Sequence, residues 1–259
     1  MPSGNGKSDV TQNLYAVGRV LDRLAKISHL DYGQFARARL HGTLKDVRRW
    51  RSVLIVASAL ISTLLTAAAQ QDGRPVIVAF GDSLTAGVAG KSYPEDLQDL
   101  LDQYGYRYRV ENQGVSGDTT TDGLARISNV IAEHPALVLL EFGGNDGLRG
   151  VPVDQIRRNL EKMIELLKAA HIQIVLLGIT LPPNYGPDYV KSFTAIYPQL
   201  AQKYHLRFMP FLLLHVYQDP ALMQPDGIHP SGAGNRIVAR DVFELIRPLL
   251  SRPNTSKAS

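Results

Sequence analysis

No cysteine occurs in the 259 residues, tryptophan occurs once and methionine four times. Without thiols there is no thiolate nucleophile, no Cys-ligated zinc, no iron–sulfur cluster, no disulfide and no lipobox cysteine to lipidate. Export stays open, because an oxidising compartment permits disulfides without requiring them. Compositional extremes are missing too. Hydrophobic residues make up 44% and charged residues 20%, which excludes collagen-like and wholly disordered chains. At roughly 100–200 residues per domain, the length allows one domain with an extension, or two small domains.

A basic surface for nucleic acid is also lacking where it would count. The net charge is +4 and the pI near 9.2. Residues 1–69 hold 10 Lys+Arg against 4 Asp+Glu, a balance of 10 − 4 = +6. Residues 70–259 hold the other 18 against 20, a balance of −2. The basic character belongs to the N-terminal part, so no nucleic-acid partner is expected for the rest.

The chain reads as three segments. Residues 1–46 are polar and mixed, with weak helical spacing at Leu14, Val17, Val20, Leu21, Leu24 and Ile27. Residues 47–69 carry a basic cluster (with Lys45 before it, then Arg48, Arg49 and Arg51) and a charge-free run from Ser52 to Ala69 ending Ala67-Ala68-Ala69. A positive n-region, an apolar h-region and an A-x-A end describe a secretory signal peptide, with cleavage expected near Ala69 and a periplasmic or secreted product. An inner-membrane anchor is the second reading and a buried core helix the third. The 46 residues upstream exceed a usual n-region. No Met lies between Met1 and Met163, so a later start needs a non-Met codon, for example at Val47. A misassigned start is the favoured explanation. The Arg48-Arg49 pair lacks most of a twin-arginine context.

Residues 70–259 alternate apolar runs with amphipathic ones. Strands are expected at Val76–Phe80, Tyr108–Asn112, Leu137–Phe142, Ile172–Ile179 and Arg207–Phe211. Helices are expected at Tyr93–Tyr104, Thr120–Glu133 (Thr119 or Thr120 as N-cap), Asp154–Ala170, Tyr189–Tyr204 and Gly232–Leu250. This alternation argues an α/β domain with a parallel sheet covered on both faces.

In such a sheet, ligands bind beyond the carboxyl ends of the strands. Four polar segments fall there: Gly81 to Gly87, Gly114 to Asp118, Gly143 to Asp146 and Asp226 to Pro230. Ser83 on a tight strand-to-helix turn can present its hydroxyl, but needs a base to take its proton. His229 can be that base, and Asp226 three residues earlier can fix its tautomer and stabilise the imidazolium. The Ser83 N–H, the Gly114 N–H and the Asn145 amide are candidate oxyanion donors. Each residue alone has an ordinary explanation as a helix cap, a turn or a surface histidine. Their joint occurrence in order at the strand ends favours chemistry. His134, His171, His205 and His215 have no such context.

These segments resemble the blocks of the GDSL, or SGNH, hydrolase family, whose Ser, Gly, Asn and His fall on Ser83, Gly114, Asn145 and His229. The stretches at 116–119 (SGDT), 143–150 (GGNDGLRG), 181–186 (LPPNYG), 195–198 (AIYP) and 226–230 (DGIHP) are similar to the bacterial acyl-CoA thioesterase I, lysophospholipase and arylesterase group. That resemblance implies a flavodoxin-like three-layer αβα sandwich, strand order 2-1-3-4-5. It implies cofactor-free, metal-free hydrolysis of esters and thioesters through an acyl-enzyme on Ser83. It also implies a mobile loop at Gly147–Val151 beside an acyl groove, with the LPPNYG segment at its rim. Partners are then small-molecule or lipid acyl esters and thioesters, with transient membrane contact. Two alternatives stay open: a carbohydrate O-deacetylase, for which the groove would be flat and polar, and a membrane-anchored non-catalytic binding domain. The oligomeric state is not legible.

Overall fold

The computed structural model describes residues 73–251. The polar extension, the basic cluster, the apolar run with its cleavage site and the tail beyond Ser251 lie outside the described residues. Among those described, no helix is long and apolar enough to cross a membrane.

Five parallel strands form one sheet: β1 (Val76–Gly81), β2 (Arg109–Gly114), β3 (Leu137–Leu140), β4 (Gln173–Leu177) and β5 (Arg207–Met209), in the order β2-β1-β3-β4-β5. The apolar runs Ile77–Phe80, Leu137–Leu140 and Ile174–Leu177 are buried in the three inner strands. A parallel strand covered on both faces needs such continuous apolar sequence. The edge strands β2 and β5 are only partly covered and carry polar residues.

The helices are α1 (Ser83–Ala86), α2 (Tyr93–Gln103), α3 (Thr120–Ala132), α4 (Gly144–Leu148), α5 (Val153–Ala169), α6 (Pro187–Thr194), α7 (Ile196–Tyr204) and α8 (Gly232–Ile246). The chain order steps left from β1 to β2, then rightward to β5. Right-handed crossovers therefore put α2 on one face and α3, α5 and α7 on the other. The packing agrees: α8 returns onto α2, while α3 packs on α5. The result is the expected three-layer sandwich.

Local chemistry sets the helix ends. At α3, Thr119 is the N-cap, and Asp122 Oδ2 accepts from the Thr119 N–H at 2.9 Å and from its hydroxyl at 2.7 Å. On α5, Ile156, Leu160, Met163, Ile164 and Leu167 are all buried; full burial of one such side chain contributes about 1.5–3 kcal/mol. The single helix expected over Tyr189–Tyr204 is instead two, broken at Ala195. Pro198 is the cause. It has no N–H for the Thr194 carbonyl, and its ring would clash there in an unbroken helix. The segment 147–151 begins as the end of α4, and the hydroxyls of Tyr185 and Tyr189 donate to the Leu148 and Val151 carbonyls.

Candidate active site

Ser83 is the first residue of α1, directly after β1. Asp82 caps that helix, its Oδ1 accepting from the Leu84 N–H at 3.0 Å. The first N–H groups of a helix have no partner within it, so the Ser83 N–H is free to point outward beside its own hydroxyl.

The histidine arrives from the loop before α8. Gln224 N–H bonds the His229 carbonyl at 2.8 Å, and Ser231 N–H bonds the Leu222 carbonyl at 2.8 Å, which pins both ends of the turn. Within it, Asp226 Oδ1 accepts from the Ile228 N–H at 2.9 Å and the His229 N–H at 3.0 Å. Asp226 Oδ2 lies 2.7 Å from His229 Nδ1. His229 Nε2 lies 2.8 Å from Ser83 Oγ. A carboxylate accepts only, so Nδ1 carries the ring proton and Nε2 is left to accept from the serine. Partial burial works to raise the Asp226 pKa, but the His229 N–H, the His229 ring and the Ile228 N–H outweigh it and draw the carboxyl down to about 2.

Asn145 stands in the first turn of α4, after Gly143 with φ 120°. Its Nδ2 donates to Asp82 Oδ2 at 3.1 Å and to the Asp118 carbonyl at 3.0 Å. Both neighbours accept, which fixes the amide with its nitrogen toward them. Ser83, Asp226, His229 and Asn145 are thus brought together.

Gly114 is not brought to the same task. In strand geometry successive N–H groups point to opposite sides. The Val115 N–H turns to β1 and bonds the Gly81 carbonyl at 3.0 Å. The Gly114 N–H therefore faces the open sheet edge, where Asn112 Oδ1 takes it at 2.9 Å. What glycine permits here is close packing, since a Cβ would lie 2.1 Å from the Ala86 nitrogen on α1. Three residues on, Gly117 (φ 87°) sits in the turn closed by Asp118 N–H to the Val115 carbonyl, and its carbonyl accepts from Arg149. Its own N–H has no partner among the described residues.

A cavity of about 230 Å³ opens beside Ser83 and His229. Leu148, Ile179, Leu181, Phe211, Leu213 and Tyr217 line it, with Pro182 of the LPPNYG segment. Its walls are those of an apolar groove. Among the described residues no cluster of three metal-ligating side chains forms.

Two supporting residues escaped the sequence reading. Arg126 on α3 donates to Asp118 Oδ2 (2.7 Å), the Gln113 carbonyl (2.9 Å) and the Gly81 carbonyl (3.0 Å). Its guanidinium lies 4.4 Å from the Phe80 ring centre, so one side chain braces the ends of β1 and β2. Glu141 follows β3 and is wholly buried. Its signal was a carboxylate closing an otherwise apolar strand.

A doubly wound parallel sheet with a Ser–His–Asp hydrogen-bond chain at its carboxyl edge, opening on an apolar cavity, has the build of an ester hydrolase. Residues 79–237 match the GDSL-like lipase/acylhydrolase family. The chain belongs to that family and hydrolyses ester bonds. An arylesterase of Vibrio mimicus is 42% identical over 197 residues, covering 74% of this chain and 98% of the relative. A thioesterase 1/protease 1/lysophospholipase L1 of Escherichia coli is 38% identical over 179 residues, covering 68% of this chain and 85% of the relative. The crystal structure of TesA superposes with a TM-score of 0.65 at 40% identity, covering 68% of this chain and 99% of that one.

Proposed function

We propose that this chain is a serine esterase and thioesterase acting through an acyl-enzyme on Ser83. The observation that carries the reading is the unbroken chain from Ser83 Oγ to His229 Nε2 at 2.8 Å and from His229 Nδ1 to Asp226 Oδ2 at 2.7 Å. Ser83 Oγ attacks the acyl carbon as its proton passes to Nε2, and Asp226 stabilises the imidazolium. The negative charge formed on the carbonyl oxygen is met by the Ser83 N–H, the Asn145 amide and the Gly117 N–H, the last in place of Gly114. Both Asn145 hydrogens have partners at rest, so the oxyanion shares one with Asp82 or Asp118. Collapse of the tetrahedral adduct expels the alcohol or thiol, which leaves with the proton from His229. Water then repeats the cycle and frees the acid.

The apolar lining of the cavity supports acyl chains over acetyl groups on sugars. Lipid-like substrates of this kind entail transient contact with a membrane or micelle. The names of the relatives support arylesters, acyl thioesters and lysophospholipids as substrate classes. A periplasmic or secreted product cut near Ala69 fits the segment from Ser52 to Ala69; N-terminal sequencing of exported protein reads Gln70 first if so, and Met1 or Val47 if the segment is kept as an anchor. The function is tested with p-nitrophenyl esters from acetyl to palmitoyl, an acyl-CoA, a lysophospholipid and a fluorophosphonate probe. Labelling of wild type but not of Ser83→Ala supports the reading; turnover by Ser83→Ala at the wild-type rate refutes it.

A further inference from the structure

Beneath the serine turn lies a pair of carboxyls, Asp82 and Glu141, that the triad does not use. Glu141 is completely buried, and among the described residues its neighbours in charge and hydrogen bonding are Asp82 and Thr85, with no Lys or Arg in an ion pair with it. Its Oε2 accepts from the Asp82 N–H at 3.2 Å and the Thr85 hydroxyl at 3.0 Å. Its Oε1 accepts no hydrogen bond among the described residues. The space is tight: a Cβ on Gly81 would lie 2.4 Å from Glu141 Oε2. Asp82, only 2% exposed, is within hydrogen-bonding reach of Glu141 and also holds the Leu84 N–H and the Asn145 amide.

Two adjacent buried carboxyls cannot both ionise without a cation between them. An unpartnered oxygen on a buried anion is especially costly, whereas on a neutral acid it is tolerable. Asp82 has the donors, the Leu84 N–H and the Asn145 amide, and these favour its ionised form. Burial first, then the Asp82 charge, push the Glu141 carboxyl well above the usual range. Burial also raises Asp82, to about 6. The other titratable groups around the pair are Tyr93 and Tyr197, fully buried, together with Asp146 and His229.

We propose that Glu141 is a positioning residue that works as a neutral acid: it leaves the single negative charge of the pair on Asp82, and Asp82 holds the Ser83 turn and the Asn145 amide in register. Glu141 itself touches no reacting atom. Its effect runs through two contacts, Asp82 N–H to Glu141 and Asn145 to Asp82. This rests on the acyl-enzyme reading of the same site.

The test compares Glu141→Gln and Glu141→Ala in the full chain. Gln is neutral and keeps an acceptor for Asp82 N–H and Thr85. Glu141→Gln is expected to retain kcat within about five-fold. Glu141→Ala is expected to lose at least ten-fold in kcat with KM within about three-fold, at a temperature where circular dichroism shows it folded. Infrared difference spectra between wild type and Glu141→Gln at neutral pH should show a protonated carboxylic acid carbonyl band. Loss of kcat in Gln equal to that in Ala, or no such band, overturns the neutral-acid assignment. If Glu141→Ala does not fold, the infrared band and the Gln kcat decide alone. Folded Glu141→Ala with wild-type kcat overturns the positioning role. Fluorophosphonate labelling of wild type separates the cases, since its absence refutes the acyl-enzyme reading while leaving the infrared result standing.

Discussion

Replacing Asp226 by Asn removes one charge and almost no volume, so it isolates what the carboxylate does for His229. One oxygen is retained and can still accept from the Ile228 and His229 N–H groups. The loop geometry should persist. The other oxygen, 2.7 Å from His229 Nδ1, becomes an NH₂ group. Two donors cannot face each other, so the ring takes the other tautomer, with Nδ1 bare and the proton on Nε2. That proton now points at Ser83 Oγ, 2.8 Å away, and the base is lost. Matched substitutions elsewhere cost about 10⁴ in kcat, equivalent to about 5.5 kcal/mol of activation free energy. The assay is p-nitrophenyl butyrate hydrolysis with fluorophosphonate labelling rates, alongside nitrogen NMR of the imidazole to read the tautomer. Stability supplies a sign check. The folded pKa of Asp226 is depressed to about 2 from 3.8. Its contribution is therefore present above pH 3.8 and is lost as pH falls through about 2. The stability gap between wild type and Asp226→Asn should shrink over that window. A folded Asp226→Asn that keeps kcat within ten-fold would refute the tautomer argument.

Ser83→Ala and His229→Ala should each lower kcat by ~10⁴–10⁶, since triad members act as a unit; the double variant should be no worse than either single one. Asn145→Ala should cut kcat by ~10²–10³ with KM little changed, because its donor matters most where charge develops; a rise in KM alone would make it a ground-state binder. Gly114→Ala should act mainly on stability, its Cβ meeting the Ala86 backbone at 2.1 Å, and a variant that stays fully folded but loses only kcat would restore Gly114 as an oxyanion donor. Esters of longer acyl chains should gain in kcat/KM over acetyl by up to ~0.8 kcal/mol for each buried CH₂, and Phe211→Ala should flatten that series. A strict acetyl preference would remove the cavity from the argument.

Sequence alone determined the layering and most of the chemistry. The apolar runs at Val76, Leu137 and Ile172 read as buried parallel strands, and the stripe Ile156, Leu160, Met163, Ile164 and Leu167 as one face of a helix. These are local periodicities, set by which side chains must leave water. The Asp226 to His229 spacing was legible for the same reason, because a turn of that length presents both side chains together. The break at Ala195 is local too, set by Pro198 four residues after the Thr194 carbonyl. Tertiary structure alone decided the rest. Whether the Gly114 or the Gly117 N–H is available depends on which way a strand turns its donors at a sheet edge, which composition does not carry. Whether Glu141 is an exposed base or a buried acid depends on what covers the end of β3, here the β1 turn with Asp82 and Thr85. Arg126, lying on a helix in sequence, becomes part of the site only because its guanidinium spans the ends of two neighbouring strands. Periodicity and spacing report on neighbours along the chain; direction of a donor, and the charge state of a carboxyl, are fixed by neighbours in space.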